Sequence, residues 1–246
     1  MRLLVSVRSA AEAMTALEGG AEIVDAKEPS RGSLGAVSLP VLQEIDHAVP
    51  ADLPLSVALA DPATPRAAAD AVEAVARAVR SRDELYVKLG LAGVRQAEAA
   101  EALLAATVGA AARLHVRASV IAVAYADYAA AGAPSPAVMS GLAAHTGARG
   151  VLIDTFSKGG ADLFAHLAEA ELRSWVERAG GAGLLVALAG SLSVGGVRRA
   201  ARLPADIIGV RGAACAGGRE GRVDASRVRQ LRASLEPTIS AHAGTL

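Results

Sequence analysis

Short β-branched or Leu-rich runs along the chain are each followed by a longer run of Ala, Leu, Arg and Glu with apolar positions at helical spacing. Eight such pairs follow one another. The pattern predicts strands at Leu3–Val7, Ile23–Lys27, Leu55–Leu59, Leu85–Leu89, Ser119–Ala124, Val151–Thr155, Leu184–Ala189 and Ile207–Arg211. Helices are expected to open near Ala10, Leu39, Pro65, Gly93, Ser135, Asp162, Val194 and Ser226. Thr64-Pro65 and Ser135-Pro136 set a capping hydroxyl before a proline of the first turn, where the missing N–H costs nothing. Eight consecutive βα units in 246 residues match a single α/β domain over 1–246, a (β/α)8 TIM barrel, with a frayed tail after about Pro237. A doubly wound open sheet is the alternative. It is disfavoured because no G-x-G-x-x-G follows the first strand and no Walker-type loop occurs.

Composition narrows the function. Apolar residues make up 52 % and aromatics only 2 %, so Ala, Val and Leu must build the core, which suits helix packed on sheet. The 25 basic and 25 acidic residues cancel, leaving no basic face for nucleic acid or an anionic membrane surface. Cys215 is the single cysteine, which excludes an internal disulfide framework and a cysteine-based zinc site and fits a reducing cytoplasm. Met1 to Ser9 enters a strand directly, without the features of a leader, and no long uncharged apolar run follows. The most apolar window, Ala102 to Ala112, is interrupted by Thr107 and Gly109 and reads as a buried helix of a soluble protein.

Of the 25 basic residues only three are lysines, Lys27, Lys88 and Lys158. A general drift from Lys to Arg would erase every lysine that merely solvates a surface, yet these three persist. Lys27 ends the second predicted strand, Lys88 lies near the end of the fourth and Lys158 follows the sixth. That is the barrel face where chemistry is done. Strands two, four, six and eight share parity, so Lys27, Lys88, Asp154 and Arg211 are expected to point into one layer at the mouth, and Asp25 lies on the same side of its strand as Lys27. An ammonium can lose its proton when burial or neighbouring cations lower its pKa, and a guanidinium cannot. A neutral amine attacks a carbonyl to form a Schiff base, a second lysine moves protons, and carboxylates orient them. The plainer reading of each lysine is a strand-end ion pair with Asp25 or Asp154.

Three loops are phosphate candidates. Pro29-Ser30-Arg31-Gly32-Ser33-Leu34-Gly35 offers hydroxyls, a guanidinium and permissive backbone, with Ser30 and Arg31 as the contacts. Gly190-Ser191 and Arg211-Gly212 follow the seventh and eighth strands, the loops that form phosphate cups in barrels. A flexible strand-to-helix connection explains such glycines as well. The histidines His47, His115, His145, His166 and His242 are scattered without metal-ligand spacing, and no metal is expected. Cys215 reads as an apolar filler and Trp175 as an external packing or subunit contact, so a homo-oligomer is compatible with the sequence.

Leu3-Leu4-Val5-Ser6-Val7-Arg8-Ser9, Asp25-Ala26-Lys27-Glu28-Pro29-Ser30-Arg31-Gly32-Ser33-Leu34-Gly35, Tyr86-Val87-Lys88-Leu89-Gly90 and Asp154-Thr155-Phe156-Ser157-Lys158 together resemble the (5-formylfuran-3-yl)methyl phosphate synthase family of methanofuran biosynthesis. The likeness extends over nearly the whole chain, and the block from Asp25 to Gly35 is its most specific part. It implies a cytoplasmic lyase that joins two glyceraldehyde 3-phosphates into a furan aldehyde phosphate with loss of phosphate and water, without a cofactor. It also implies Lys27 as the Schiff-base lysine and Lys88 as proton acceptor, with Asp25, Asp154 and Lys158 in support. Ala26 stands where the family pattern has Val or Ile, an outward-facing change. Two other readings share these features: another Schiff-base phosphosugar aldolase, and a non-catalytic barrel that binds a phosphometabolite.

Overall fold

The computed structural model describes residues 1–114 and 116–236. His115, His242 and the tail expected to fray after Pro237 lie outside the described residues. Eight parallel strands, β1 (Arg2–Val7), β2 (Ile23–Ala26), β3 (Leu55–Ala58), β4 (Leu85–Leu89), β5 (Ala118–Tyr125), β6 (Gly150–Asp154), β7 (Leu185–Leu188) and β8 (Ile207–Val210), pair in sequence order. β1 also pairs with β8, Leu4 against Gly209, and this closes the barrel. Around it run α1 (Ala10–Glu18), α2 (Leu39–Ala48), α3 (Pro65–Ala78), α4 (Ala97–Ala112), the single turn α5 (Tyr128–Ala131), α6 (Pro136–Thr146), the single turn α7 (Leu163–His166), α8 (Glu169–Gly181), α9 (Val194–Ala200) and α10 (Ala225–Ala233). A small hairpin, β9 (Cys215–Ala216) with β10 (Arg222–Val223), lies between β8 and α10.

The helix starts follow local chemistry. Thr64 Oγ1 accepts from Ala67 N ahead of Pro65, and Ser135 Oγ accepts from Val138 N ahead of Pro136. Two starts shift from the sequence pattern. α4 opens at Ala97 rather than near Gly93, because Gly93 adopts φ +82° and donates its N–H to Ala131 O, spending those residues on a turn. The helix expected from Asp162 is divided: Asp162 caps only α7, and α8 restarts at Glu169. The hydrogen-bonded ladders stop at Ala26 and Val210, one residue short of the predicted ends, although Lys27 N still donates to Val7 O.

Strand period two divides the buried side chains into two shells. Leu3, Val5, Val24, Ala26, Val57, Val87, Ile153 and Val186 face outward under the helices, where small Ala side chains allow close approach. Leu4, Ile23, Tyr86, Ile121, Leu152, Leu185 and Ile207 fill the lower interior. Trp175 is buried in the outer shell and donates Nε1–H to Pro136 O, so it packs α8 on α6 within the chain instead of forming an external contact. Towards the strand C-termini the inward positions turn small or polar, with Ser6, Ser56, Ala187, Ala189 and Gly209, and the barrel opens into a cavity. No helix among the described residues is long and apolar enough to cross a membrane.

Candidate active site

The cavity measures about 370 Å³ and sits at the C-terminal mouth. Asp25 and Lys27, two residues apart, enter it from β2 and its end, Lys88 from β4, Asp154 from the last position of β6, and Lys158 from the loop beyond. The parity expected from the sequence therefore brings Lys27, Lys88, Asp154 and Arg211 to line one cavity from alternate strands of the barrel. Apolar side chains below and the closed sheet around them bury every one of these groups except Lys158, which keeps a partial outlet.

Two of the lysines have carboxylate partners. Lys88 Nζ lies 2.7 Å from Asp25 Oδ1, and Asp25 Oδ2 accepts from Ser6 Oγ at 2.7 Å. Lys158 Nζ donates to Asp154 Oδ1 at 2.7 Å and to Thr155 Oγ1 at 3.1 Å, while Thr155 N donates to the same Asp154 oxygen at 2.8 Å. Ser33 Oγ stands 2.9 Å from Thr155 O and 3.2 Å from Asp154 Oδ2, tying the Asp25–Gly35 block to β6. The Lys27 side chain, in a residue only 6 % exposed, makes no hydrogen bond or ion pair with any described residue.

Electrostatics follow from this arrangement. Burial pushes the Lys27 ammonium down to about 7; the Asp154 carboxylate opposes the shift, the Lys88 charge deepens it, and Asp25 and Lys158 act more weakly in the same two senses. Burial alone would raise Asp154, but Lys158 and Lys27 outweigh it and hold the carboxyl well below the usual range. Asp25 behaves likewise: its burial is overcome by Lys88 and Lys27, so it stays ionised. The site thus holds two ionised carboxylates, each with a lysine as its partner, and a third amine that releases its proton near neutrality. Such an amine is a nucleophile, and Lys88 beside it is placed to move a proton.

The expected phosphate contacts divide. Gly190, Ser191 and Gly212 line the cavity. Gly190 needs to be glycine, since it adopts φ +110° and a Cβ there would meet Thr155 Cγ2 at 3.0 Å. Ser191 sits at φ +51°, a strained conformation for a side-chain-bearing residue, and so turns its backbone into the cavity wall. Ser30 and Arg31 do not reach the cavity. A tight 3-10 turn over Pro29–Arg31 is capped by Glu28, whose Oε1 accepts both Ser30 N and Ser30 Oγ, and this leaves Ser30 and Arg31 exposed on the outside of the loop. Arg211 lines the cavity but its guanidinium is saturated. Nε donates to Arg219 O, Nη1 to Ser6 O and Glu12 Oε2, and Nη2 to Glu12 Oε1 and Gly221 O. With all five donors engaged, its side chain has none left for a phosphate, and it anchors the eighth loop to α1.

Arg219, not Arg31, lines the cavity. It projects from the β9–β10 hairpin into the cavity wall and crosses to the Pro29–Gly35 loop, where Nη2 donates to Pro29 O and Gly32 O. Its Nε and Nη1 donors have no partner among the described residues. Sequence pattern could not single it out, because it is one arginine among many in a glycine-rich segment. Ser33 and Ser56 were missed for a similar reason: serine in a strand or loop carries no signal of its own, and only the register places Ser56 beside Asp25.

Known proteins point the same way. The family model described as 4-HFC-P synthase matches residues 3–232. A (5-formylfuran-3-yl)methyl phosphate synthase of Archaeoglobus fulgidus is 38 % identical over 233 residues, covering 94 % of this chain and 97 % of its own. The protein of that name from Methanopyrus kandleri is 38 % identical over 237 residues, covering 95 % and 98 %. Among solved structures, a 3-hexulose-6-phosphate synthase superposes with a TM-score of 0.62 at 18 % identity over 96 % of this chain and all of its own, a likeness of fold. With a family model spanning the whole barrel and relatives above one-third identity along its length, this chain belongs to the 4-HFC-P synthase family and is an enzyme of the synthase kind.

Proposed function

We propose that the cavity condenses two molecules of glyceraldehyde 3-phosphate, through a Schiff base on Lys27, into (5-formylfuran-3-yl)methyl phosphate, the compound for which the relatives are named. The observation that carries this reading is the contrast among the three lysines: the Lys27 amine alone is buried without a partner among the described residues and releases its proton near neutrality, and Lys88 is paired with Asp25. The Lys27 amine adds to the aldehyde carbon of the first triose phosphate, and water leaves as the iminium forms. The iminium acidifies the C2 proton, which Lys88 removes once its own proton has passed to solvent. The electron pair then moves to expel the C3 phosphate with its oxygen, the step of a carbon–oxygen lyase acting on a phosphate. The product skeleton requires the new carbon–carbon bond to join C3 of this fragment to C2 of the second triose. Ring closure through oxygen and loss of two waters give the furan, and hydrolysis of the iminium frees Lys27. Two triose phosphates equal one furan phosphate, one phosphate and two waters, so the balance needs no redox partner.

Asp154 and Lys158 keep the amine and its surroundings oriented, and Lys158 stands ready as a second cation as charge develops on the leaving phosphate. The retained and leaving phosphates are assigned to the wall made by Gly190, Ser191 and Gly212 and to the free donors of Arg219. A methanofuran-type carrier in the cytoplasm is the destination the family resemblance implies. Mass spectrometry after incubation with glyceraldehyde 3-phosphate alone tests the function directly. A furan phosphate with free phosphate released in equal amount is the expected result. A hexose bisphosphate formed reversibly would make the enzyme an ordinary aldolase, and unconsumed substrate would make the barrel a binding protein.

A further inference from the structure

One row below Lys27, on the neighbouring strand, the cavity holds a hydroxyl that no described residue satisfies. Ser56 is 1 % exposed, lines the cavity and has no hydrogen-bond partner among the described residues. Buried hydroxyls are nearly always bonded, and leaving one without a partner costs on the order of 1–3 kcal/mol. Its neighbour in the β2–β3 register is Asp25. Asp25 Oδ1 has the Lys88 ammonium 2.7 Å away as its ion-pair partner and accepts no hydrogen bond from any other described residue. An O–H and a carboxylate oxygen therefore stand side by side, facing the same space.

We propose that Ser56 and Asp25 form a subsite for the hydroxyl group adjacent to the reacting aldehyde carbon, making Ser56 a specificity-determining residue for 2-hydroxyaldehydes. This rests on the Schiff-base reading above and goes beyond it. The chemistry selects a hydroxyl over the other substrate groups. A phosphate dianion is repelled by the ionised Asp25, and a carbonyl or a methylene cannot donate to it, whereas a hydroxyl donates to Asp25 Oδ1 and accepts from Ser56 Oγ at once. The level in the barrel agrees. Continuing the register by one residue sets Lys27 beside Ala58, which pairs with Lys88, so the two amines share an upper row and Asp25, Ser56 and Tyr86 the row beneath. An aldehyde carbon bound to Lys27 then has its C2 between the Lys88 amine and the Ser56–Asp25 floor. The methyl of Ala58 leaves that passage open.

The test uses two aldehydes that cannot expel phosphate, 2-hydroxy-4-phosphonobutanal and its 2-deoxy counterpart 4-phosphonobutanal, with the imine trapped by borohydride and the half-saturating concentration read by mass spectrometry. Wild-type enzyme should prefer the hydroxylated aldehyde by roughly threefold to tenfold, as expected for one or two hydrogen bonds. Ser56→Ala should lose most of that preference by weakening capture of the hydroxylated aldehyde alone, and Ser56→Thr, which retains the hydroxyl, should keep more of it. Because the deleted hydroxyl bonds no described residue, Ser56→Ala should fold and melt about as high as wild type; a marked loss of stability would assign Ser56 a structural role and overturn the proposal. Equal capture of the two aldehydes by wild type, or an unchanged preference in Ser56→Ala, would overturn it while leaving the Schiff base intact. No imine on any lysine with either aldehyde would instead remove the Schiff-base reading and this subsite with it.

Discussion

Lys27 and Arg211 occupy matching places: each follows an even-numbered strand by one residue, each faces the mouth, and each is about 5 % exposed, 6 % and 5 % respectively. Their surroundings are opposite. The Arg211 side chain donates to Glu12, Ser6 O, Arg219 O and Gly221 O and has no donor to spare, whereas the Lys27 amine bonds no described residue and yields its proton near neutral pH. Strand position brings a cation to an active-site mouth, but the count of its unspent hydrogen bonds decides whether it holds the structure together or meets the substrate. A guanidinium with five donors in a fixed fork suits the first task, and an amine that can be neutral suits the second.

The comparison breaks most sharply at Arg211. Arg211→Ala strands the buried Glu12 carboxylate, and a loss of about 3–5 kcal/mol in urea unfolding is expected. Lys27→Met, at an equally buried position, should cost no stability. Equal destabilisation by the two substitutions would refute the division of roles.

Lys88→Ala comes next. It should keep imine formation on Lys27 but reduce turnover by about 10²–10⁴, the usual worth of general acid–base help and roughly 3–5 kcal/mol of barrier. Turnover at the wild-type rate would show that another group takes the C2 proton.

The pH dependence sharpens the Lys27 side. Imine formation at limiting substrate should fall about tenfold per unit below pH 7 as the amine is protonated, and level off above it. A flat profile between pH 5 and 7 would contradict the near-neutral amine. Stability carries the same signature. Between about 7 and the ordinary 10.5 the unfolded chain holds a proton on Lys27 that the folded chain has released, so stability rises with pH there. The burden of burying Lys27 is complete below that window and fades across it. The rise in Tm on Lys27→Met should accordingly be larger at pH 6 than at pH 9.

The smallest effect separates two arginines of the mouth. Arg219→Ala should raise KM for glyceraldehyde 3-phosphate by roughly tenfold, the loss of a charge-assisted hydrogen bond. Arg31→Ala should leave KM unchanged, since Arg31 lies outside the cavity. The reverse order would return the phosphate to the Pro29–Gly35 loop.

The barrel was legible because period-two and period-3.6 runs alternate without interruption, and because Pro and capping hydroxyls mark α3 and α6. The lysines were legible because arginine replaces lysine almost everywhere else, so each survivor drew notice. What could not be read is how donors are spent. The ring of acceptors around Arg211 is drawn from Ser6, Glu12, Arg219 and Gly221, segments far apart in the chain. The Glu28 cap that turns Ser30 and Arg31 outward is local, yet it competes with phosphate binding in a way that residue types alone do not rank. Arg219 lies on a hairpin too short to show alternation, and Ser56 acquires meaning only from its register with Asp25.

The central claim, that the unpaired lysine is the nucleophile, meets its most direct test in borohydride reduction with glyceraldehyde 3-phosphate followed by peptide mapping. The account predicts added mass on the peptide spanning Asp25 to Arg31, and none there in Lys27→Arg, whose guanidinium stays protonated. Label confined to Lys88 or Lys158, the two lysines already paired with carboxylates, would contradict it.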